Sequence, residues 1–287
     1  MAAVLLDGVV DGLQLGLLAV GLSLLYGLGG VLNLAHGSLA VTAAIVTSLV
    51  AGGVGWPIGV AAAIGVLSAV LIALALDRTV LRPVHREPDR GRAVLLSLLV
   101  TLGVALVLDG ALEWRYPSGQ LGIRIGGGPV DLLGVPMRRG ALVAAGISLT
   151  ATGALVVFLR STTAGRAVRC VLQDETGARL VGVDPARVRT LVLGLGGGLA
   201  GLVAVTSAMT APVDVRAGFG LTVEALIVAV VGGLGSARGA LLAGLLLGVV
   251  NAVGARQLGG YATSVLLLVA AATTILVRPR GLLGGAA

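Results

Sequence analysis

The chain has 287 residues, of which 57% are hydrophobic, 11% charged and 2% aromatic. Soluble domains carry about 25% charged residues, so this composition excludes an ordinary soluble domain. The net charge of +7 comes from arginine alone, since lysine is absent; the arginines cluster between long apolar runs, which excludes nucleic-acid binding and reads as membrane topology.

The apolar runs are mostly about 18 residues or longer, enough to cross a bilayer as helices. They do not alternate as barrel strands would. Nine segments are expected, near 5–28, 34–53, 57–76, 93–111, 139–159, 190–211, 222–236, 239–256 and 261–277. The fold class is therefore all-α, a polytopic transmembrane bundle of about 8–10 helices, with residues 1–287 as a single transmembrane domain.

The first segment carries Asp7 and Asp11 and no arginine before Arg78. It lacks the basic start of a secretory signal and is expected to stay as a helix. "NLAHG" at 33–37 follows with almost no loop. Asn and Gly break helices, and irregular backbone at membrane depth persists only inside protein or along a wet cavity. Asn33, His36 and Gly37 are therefore candidates for a translocation route. The alternative is a tight interfacial turn with His36 capping a helix.

Trp56-Pro57 opens the third segment, with an interfacial Trp and a Pro suited to a first helical turn. Residues 77–92 form an expected polar loop with five arginines. In the fourth segment Ser97 and Thr101 lie one turn apart. They are route candidates, as polar groups in a span are by default, or they bond only their own helix. Asp109, and later Glu224, fall near segment ends and read as solvated interface positions. Residues 112–138, including Arg124, are rich in Gly and Pro and form an expected exposed connection.

Residues 160–189 are a polar island in the apolar chain. Ser161, Thr162 or Thr163 can cap a helix start. Glu175 and Arg179 stand at i, i+4 in the favourable order. Gly182 suits a helix C-terminus, and Asp184-Pro185 is an N-cap with Pro at the first position. One short helix is expected here, pinned between two membrane helices. It is either a solvated or lipid-contacting element or a lever that takes force from a partner.

Gly12/Gly16, Gly194/Gly198, Gly197/Gly201, Gly235/Gly239 and Gly244/Gly248 have the small-xxx-small spacing that lets membrane helices approach closely. The seventh segment is short and ends in "GGLGSARG", so it is expected to be broken or re-entrant, which makes Gly233, Gly235 and Ser236 further route candidates. "GGVLNLAHGSLA" and "GGLGSARGALLA" are alike in placing a Gly pair before a polar residue and an apolar helix. Asn251 is one more polar residue within a span. With 77–92 and 160–189 inside, fourteen arginines lie on the cytoplasmic side and six outside. The N-terminus is then outside and the C-terminus inside.

No catalytic constellation and no metal or cofactor motif appears, so an enzyme is disfavoured. Cys170 is the single cysteine and forms no disulfide within the chain. A phosphate-binding GxxxxGK[ST] loop needs a lysine, so any ATP hydrolysis must come from another chain.

Several stretches together resemble the permease subunits of branched-chain amino acid ABC importers, most like the shorter of the two paired permeases. They are "GLQLGLLAVGLSLLYGLGGVLNLAHGSLAV", "LRPVHREPDRGRAVLLSLLVTLGVALVL", "GRAVRCVLQDETGARLVGVDPARVRTLVLGLGGGLAGLVAV", "VVGGLGSARGALLAGLLLGVVNAV" and "VRPRGLLG". The resemblance implies a bacterial inner-membrane protein that pairs with a second permease, two cytoplasmic ATP-binding subunits and an extracytoplasmic solute-binding protein. It implies that Gly165, Arg166, Ala167, Arg169, Asp174, Ala178 and Gly182 lie in the loop that couples to the ATPase. Related permeases carry urea or short amides. A self-sufficient secondary carrier is the alternative of another class.

Overall fold

The computed structural model describes residues 1–85, 87–117, 119–123, 128, 130–132, 135–278 and 281–282. Eight of its helices are long and apolar enough to cross a membrane, among the described residues. In chain order, α1 is Ala2–Gly27, α2 is His36–Gly53 and α3 is Ile58–Leu76. A π-helical turn, Asp77–Leu81, carries α3 into α4, Arg82–Val84. Long helices α5 (Arg90–Arg115) and α6 (Arg139–Ser161) follow, then the short pair α7 (Thr163–Gln173) and α8 (Glu175–Leu180). The chain ends with α9 (Pro185–Thr210), α10 (Ala217–Gly232), α11 (Ala237–Gln257) and α12 (Gly260–Val277).

All nine expected segments are helical. The polar loop expected at 77–92 is not: residues 77–84 continue the third helix. Asp77 stays buried there because Thr190 Oγ1 donates to its carboxylate and Arg82 stands 3.8 Å away; a paired carboxylate can remain inside a helix bundle. Pro57 is the N-cap of α3, one position before the first turn.

The connection expected at 112–138 is shorter at its start, since α5 runs on to Arg115. Its described part holds one small antiparallel pair and one strand of a second. β1 (Gln120–Leu121) pairs with β4 (Val213–Asp214), and β2 (Val130–Leu132) with β3 (Val135–Met137). Arg124 lies outside the described residues, as do Pro279, Arg280 and residues 283–287 of the tail.

Packing centres on α1, which touches α9, α10 and α6 and lies longest against α11. A Cβ at Gly244 or Gly248 would overlap the backbone of Gly16 or Gly12. Two of the glycine pairs in the sequence thus face each other across one antiparallel contact, at a spacing only Gly permits. Gly197 and Gly201 do the same for α9 against Ala73, Ala69 and Val66 of α3. In lipid, where no hydrophobic force draws helices together, such close contact is the main source of cohesion. α5, α6 and α12 present broad apolar faces outward, as lipid-facing spans do.

Two ends of the bundle are distinct. Residues 77–85, the α7–α8 unit, the end of α1 and the α10–α11 break meet at one end. The two arginine-rich stretches therefore share a side. The β1–β4 pair and the Arg216–Glu113 ion pair mark the other.

Candidate functional site

Residues 28–35 are not helical, and they double back alongside α1. Leu28 begins this segment at the arginine-rich end. At its far side, His36 Nε2 donates to Leu18 O over 3.1 Å. Ten helical residues separate Leu18 from Leu28, a rise of about 15 Å. His36 therefore sits about 15 Å along α1 from the arginine-rich end, well inside the bundle. The second membrane crossing is discontinuous: a non-helical lower part at 28–35, then α2 starting inside the bundle.

Backbone groups at that depth need partners, and α5 and α10 supply them. Leu32 N donates to Ser97 Oγ at 3.3 Å and Leu34 N to Thr101 Oγ1 at 3.0 Å. Gly37 N donates to Thr222 Oγ1 at 2.8 Å, and that hydroxyl faces Leu34 O at 3.1 Å. Asn33 Oδ1 accepts from Ala35 N at 3.1 Å, a local turn. Ser97 and Thr101 also bond their own helix, through Val94 O and Ser97 O. Both readings of this pair hold at once.

The His36 ring is 3% exposed and lies between α1 and α9. A Cβ at Gly21 would come within 2.9 Å of its Cε1, and one at Gly196 within 3.6 Å. Small residues on two helices thus make the slot for the ring. Gly37 packs against Gly218 and Thr222, at the start of α10. The "NLAHG" turn is buried at the centre of the bundle and does not face lipid.

Asn33 Nδ2, Ser38 Oγ and Asp109 Oδ1 are buried without a hydrogen-bond partner among the described residues. The last two converge: a Cβ at Gly218 would meet Asp109 Oδ1 at 2.6 Å and Ser38 Oγ at 2.8 Å. Asp109 is six residues inside the end of α5 and part-exposed, with its Oδ1 turned toward α2 and α10. Glu224 is exposed on α10, eight residues from its end.

Gly233, Gly235 and Ser236 form a second, separate break between α10 and α11. Gly233 and Gly235 have φ of 104° and 92°, conformations open to Gly and costly for other residues. Gly235 N donates to Ser23 Oγ at 3.0 Å, which ties the break to the lower part of α1. Ser236 caps α11 through Gly239 N. The two similar stretches of sequence are thus both chain breaks that lead into a helix. One lies inside the bundle and the other at the arginine-rich end.

The island expected as one helix is two. Asp174 leaves helical geometry and caps α8, accepting from Thr176 N at 2.9 Å. An Asp gains more from capping than from a helix interior. Thr162 caps α7 through Gly165 N. Gly182, at φ 83°, closes α8 with bonds from Gly182 N to Arg179 O and Val183 N to Ala178 O, the two-bond pattern of a helix ended by a left-handed residue. Asp184 caps α9.

Among the coupling candidates, Arg166, Arg169, Asp174 and Gly182 are exposed. Gly165 and Ala178 are buried, and Ala167 is half-buried. A Cβ at Gly165 would come within 2.7 Å of Leu159 Cα, so this residue packs α7 onto α6. Sequence reading missed Leu180 and Val181, which are 84% and 72% exposed at the tip of α8. A cleft of about 360 Å³ beside them is lined by Arg179, Val183, Asp184 and Arg189. It also missed Gln14 of α1, bonded to Thr206 and Ser207 of α9, and Arg189, which joins α8 to the end of α1. Ser38, Thr222 and Arg189 carry no local signature in the sequence; only the fold brings them to these places. Outside the spans, His85 packs beside Arg189. Burial, and then the nearby guanidinium, lower its pKa to about 4 against the opposing pull of Asp77 and Glu175.

Over residues 4–277 the sequence matches the family described as branched-chain amino acid transport system / permease component. It is 28% identical over 97% of its length to the high-affinity branched-chain amino acid transport system permease protein LivH of Escherichia coli (strain K12), covering 94% of that protein. It is also 28% identical to the permease protein BraD of Pseudomonas aeruginosa, over 98% of this chain and 94% of that one. Among solved structures, a chain of PsaBC from Streptococcus pneumoniae in complex with Fab has a similar fold. Its TM-score is 0.53 at 12% identity, over 96% of this chain and 91% of that one.

Proposed function

Because the chain belongs to the branched-chain amino acid transport system permease family, we propose that it is the membrane-spanning subunit of an ATP-driven importer for leucine, isoleucine, valine or similar amphipathic solutes. The whole chain acts as one permease domain. It works with a second permease, two cytoplasmic ATP-binding subunits and an extracytoplasmic solute-binding protein, in a bacterial inner membrane. The arginine-rich side is cytoplasmic, with the C-terminus inside and the N-terminus outside.

The observation that carries this reading is the discontinuous crossing at 28–35. Its polar groups sit inside the bundle, joined at their lower end to the α7–α8 unit. A zwitterion crossing a bilayer must exchange water for fixed partners. The start of α2, with the orphaned atoms of Asn33, Ser38 and Asp109 nearby, supplies both donors and acceptors. Asn33, His36, Gly37, Ser97 and Thr101 belong to this route, directly or by holding its backbone. Gly233, Gly235 and Ser236 serve as a joint at its cytoplasmic exit.

ATP binding to partner chains favours one of two packings of the bundle, as any ligand does that binds one state better. The contact runs through α7 and α8. Arg166 and Arg169 offer charge, and Leu180 and Val181 offer an apolar knob. Gly165 and Ala178 keep the unit packed, and Gly182 ends it with a backbone shape Pro cannot adopt. The test is co-purification of the assembled importer from membranes. Arg166→Glu and Gly182→Pro are expected to insert normally but to lose the ATPase or uncouple its hydrolysis from uptake. Normal assembly and uptake in both variants would refute the coupling role of α7 and α8.

A further inference from the structure

The α7–α8 unit and the discontinuous crossing meet at one side chain. Arg189 lies in the first turns of α9 and is 12% exposed. Its Nη2 bonds Glu175 Oε2, at the start of α8. Its Nε donates to Leu28 O at 3.0 Å, where the crossing begins. Gly29 leaves the room for this: a Cβ there would lie 3.2 Å from Arg189 Nε. Leu172 of α7 reaches the same junction, within 2.6 Å of where a Cβ on Gly27 would be. The next residue along α9, Thr190, binds Asp77 and so ties α9 to the end of α3.

The chemistry suits a guanidinium. Its planar fork presents several donors in fixed directions, whereas an ammonium is a single point charge on a mobile stem. The Leu28 carbonyl lies at the C-terminal end of α1, where carbonyls lack helical partners and the helix dipole favours a cation. Charge-assisted bonds are stronger than neutral ones, and Arg189 holds its two partners from a largely buried position although Glu175 is 34% exposed.

We propose that Arg189 is a positioning residue that transmits displacement of α7 and α8 to the discontinuous crossing, by holding Glu175 and the Leu28 carbonyl on one guanidinium; the proposal rests on the reading of α7 and α8 as the ATPase contact. The crossing is held at its upper end by Ser97, Thr101 and Thr222. At its lower end Gly29 and Gly30 follow Leu28, and Gly30 has a φ of 70°. Movement of Glu175 either carries Leu28 along or breaks a charge-assisted hydrogen bond. The slack lies in the two glycines, so the lower part of the crossing moves while its top stays fixed. Arg179, bonded to the other oxygen of Glu175, is exposed and shares that carboxylate without contacting the crossing.

The test uses the complete importer, with its partner permease, ATPases and binding protein, in liposomes. Leucine uptake and ATP hydrolysis are measured on the same vesicles. Arg189→Gln is expected to keep the ATPase bound but to lower leucine transported per ATP about tenfold, the scale of coupling changes caused by single positions. Arg189→Lys, which keeps the charge but not the fork, should fall between. Glu175→Gln added to Arg189→Gln should lower the ratio no further, because both changes break the same link. A normal ratio in Arg189→Gln overturns the proposal. So does a loss of uptake matched by equal losses of membrane abundance and melting temperature at constant ratio, the mark of a merely structural residue. If Arg189→Gln does not reach the membrane, the ratio in Arg189→Lys decides. Failure of the coupling reading itself would show differently: the wild-type complex would not bind the ATPase, or its hydrolysis would ignore substrate.

Discussion

Removing one hydroxyl from α5 tests the discontinuous crossing most sharply. In Thr101→Val the shape is kept and the oxygen is lost. Leu34 N, now bonded to Thr101 Oγ1 at 3.0 Å in a part-buried contact, would be left without a protein partner. An unmet buried donor costs about 1–3 kcal/mol. Thr101→Ser keeps the oxygen and should cost much less. Thr222→Val removes the partner of both Gly37 N and Leu34 O, and should cost at least as much as Thr101→Val. Thr150 is the control: it is exposed and its hydroxyl bonds only carbonyls of its own helix, so Thr150→Val should change little. Melting in detergent, followed by size-exclusion fluorescence, reports stability, and uptake in liposomes reports transport. Thr101→Val and Thr222→Val should melt several degrees lower and transport more slowly than the wild type. Thr101→Val indistinguishable from Thr101→Ser and Thr150→Val in both assays would show that the crossing is not held by these hydroxyls.

Asn33→Ala and His36→Ala should each depress uptake severalfold at unchanged membrane abundance, measured by transport normalised to immunoblot; a His36→Ala protein that transports normally but melts earlier would make the ring a structural strut. Gly244→Ala places a methyl group against the backbone of Gly16 and should destabilise by about 1–3 kcal/mol, as overpacking does, whereas Gly153→Ala meets open space and should be neutral or slightly stabilising in the same melting assay. His85 has its pKa lowered to about 4, below about 6.5 for an unfolded histidine. The unfolded chain therefore binds more protons between these values, and the contribution of His85 to stability is full above about pH 6.5 and is lost as pH falls toward 4. Melting temperatures across that window should fall less steeply in His85→Gln than in wild type. Cys170, on the arginine-rich side, should react with an impermeant thiol reagent in inverted vesicles and be spared in intact cells; labelling only from outside would invert the proposed topology.

Most of the helices were legible because the bilayer forces each span to be a long apolar run, and few other patterns fit that constraint. The caps at Thr162, Gly182 and Asp184 were legible for a similar reason, since each is a local solution to unpaired backbone groups. Asp174 was misread as part of one helix because a capping residue inside a polar stretch looks like any other exposed acid. The glycine pairs could be named from spacing, but their partners could not: nothing local says that Gly12 and Gly16 face Gly244 and Gly248. The same limit applies to the candidate site. "NLAHG" announces a break, and Ser97 and Thr101 announce polarity in a span. Their meeting, and the roles of Ser38, Thr222 and Arg189, depend on contacts between residues far apart in sequence. Asp109 reads as an end-of-segment residue because the apolar run stops near it, and the sequence does not show where its carboxylate turns. The helix continues to Arg115 and turns that carboxylate inward.

The most direct measurement of the central claim is leucine uptake into liposomes that contain this chain with its partner permease, ATPases and binding protein, with and without ATP. Uptake is predicted only when ATP and the binding protein are both present, with hydrolysis stimulated by substrate and with no transport by this chain alone under an ion gradient. Ion-driven uptake by the chain alone would contradict the account. ATP-driven uptake of urea or a short amide in place of leucine would keep the mechanism and overturn the substrate.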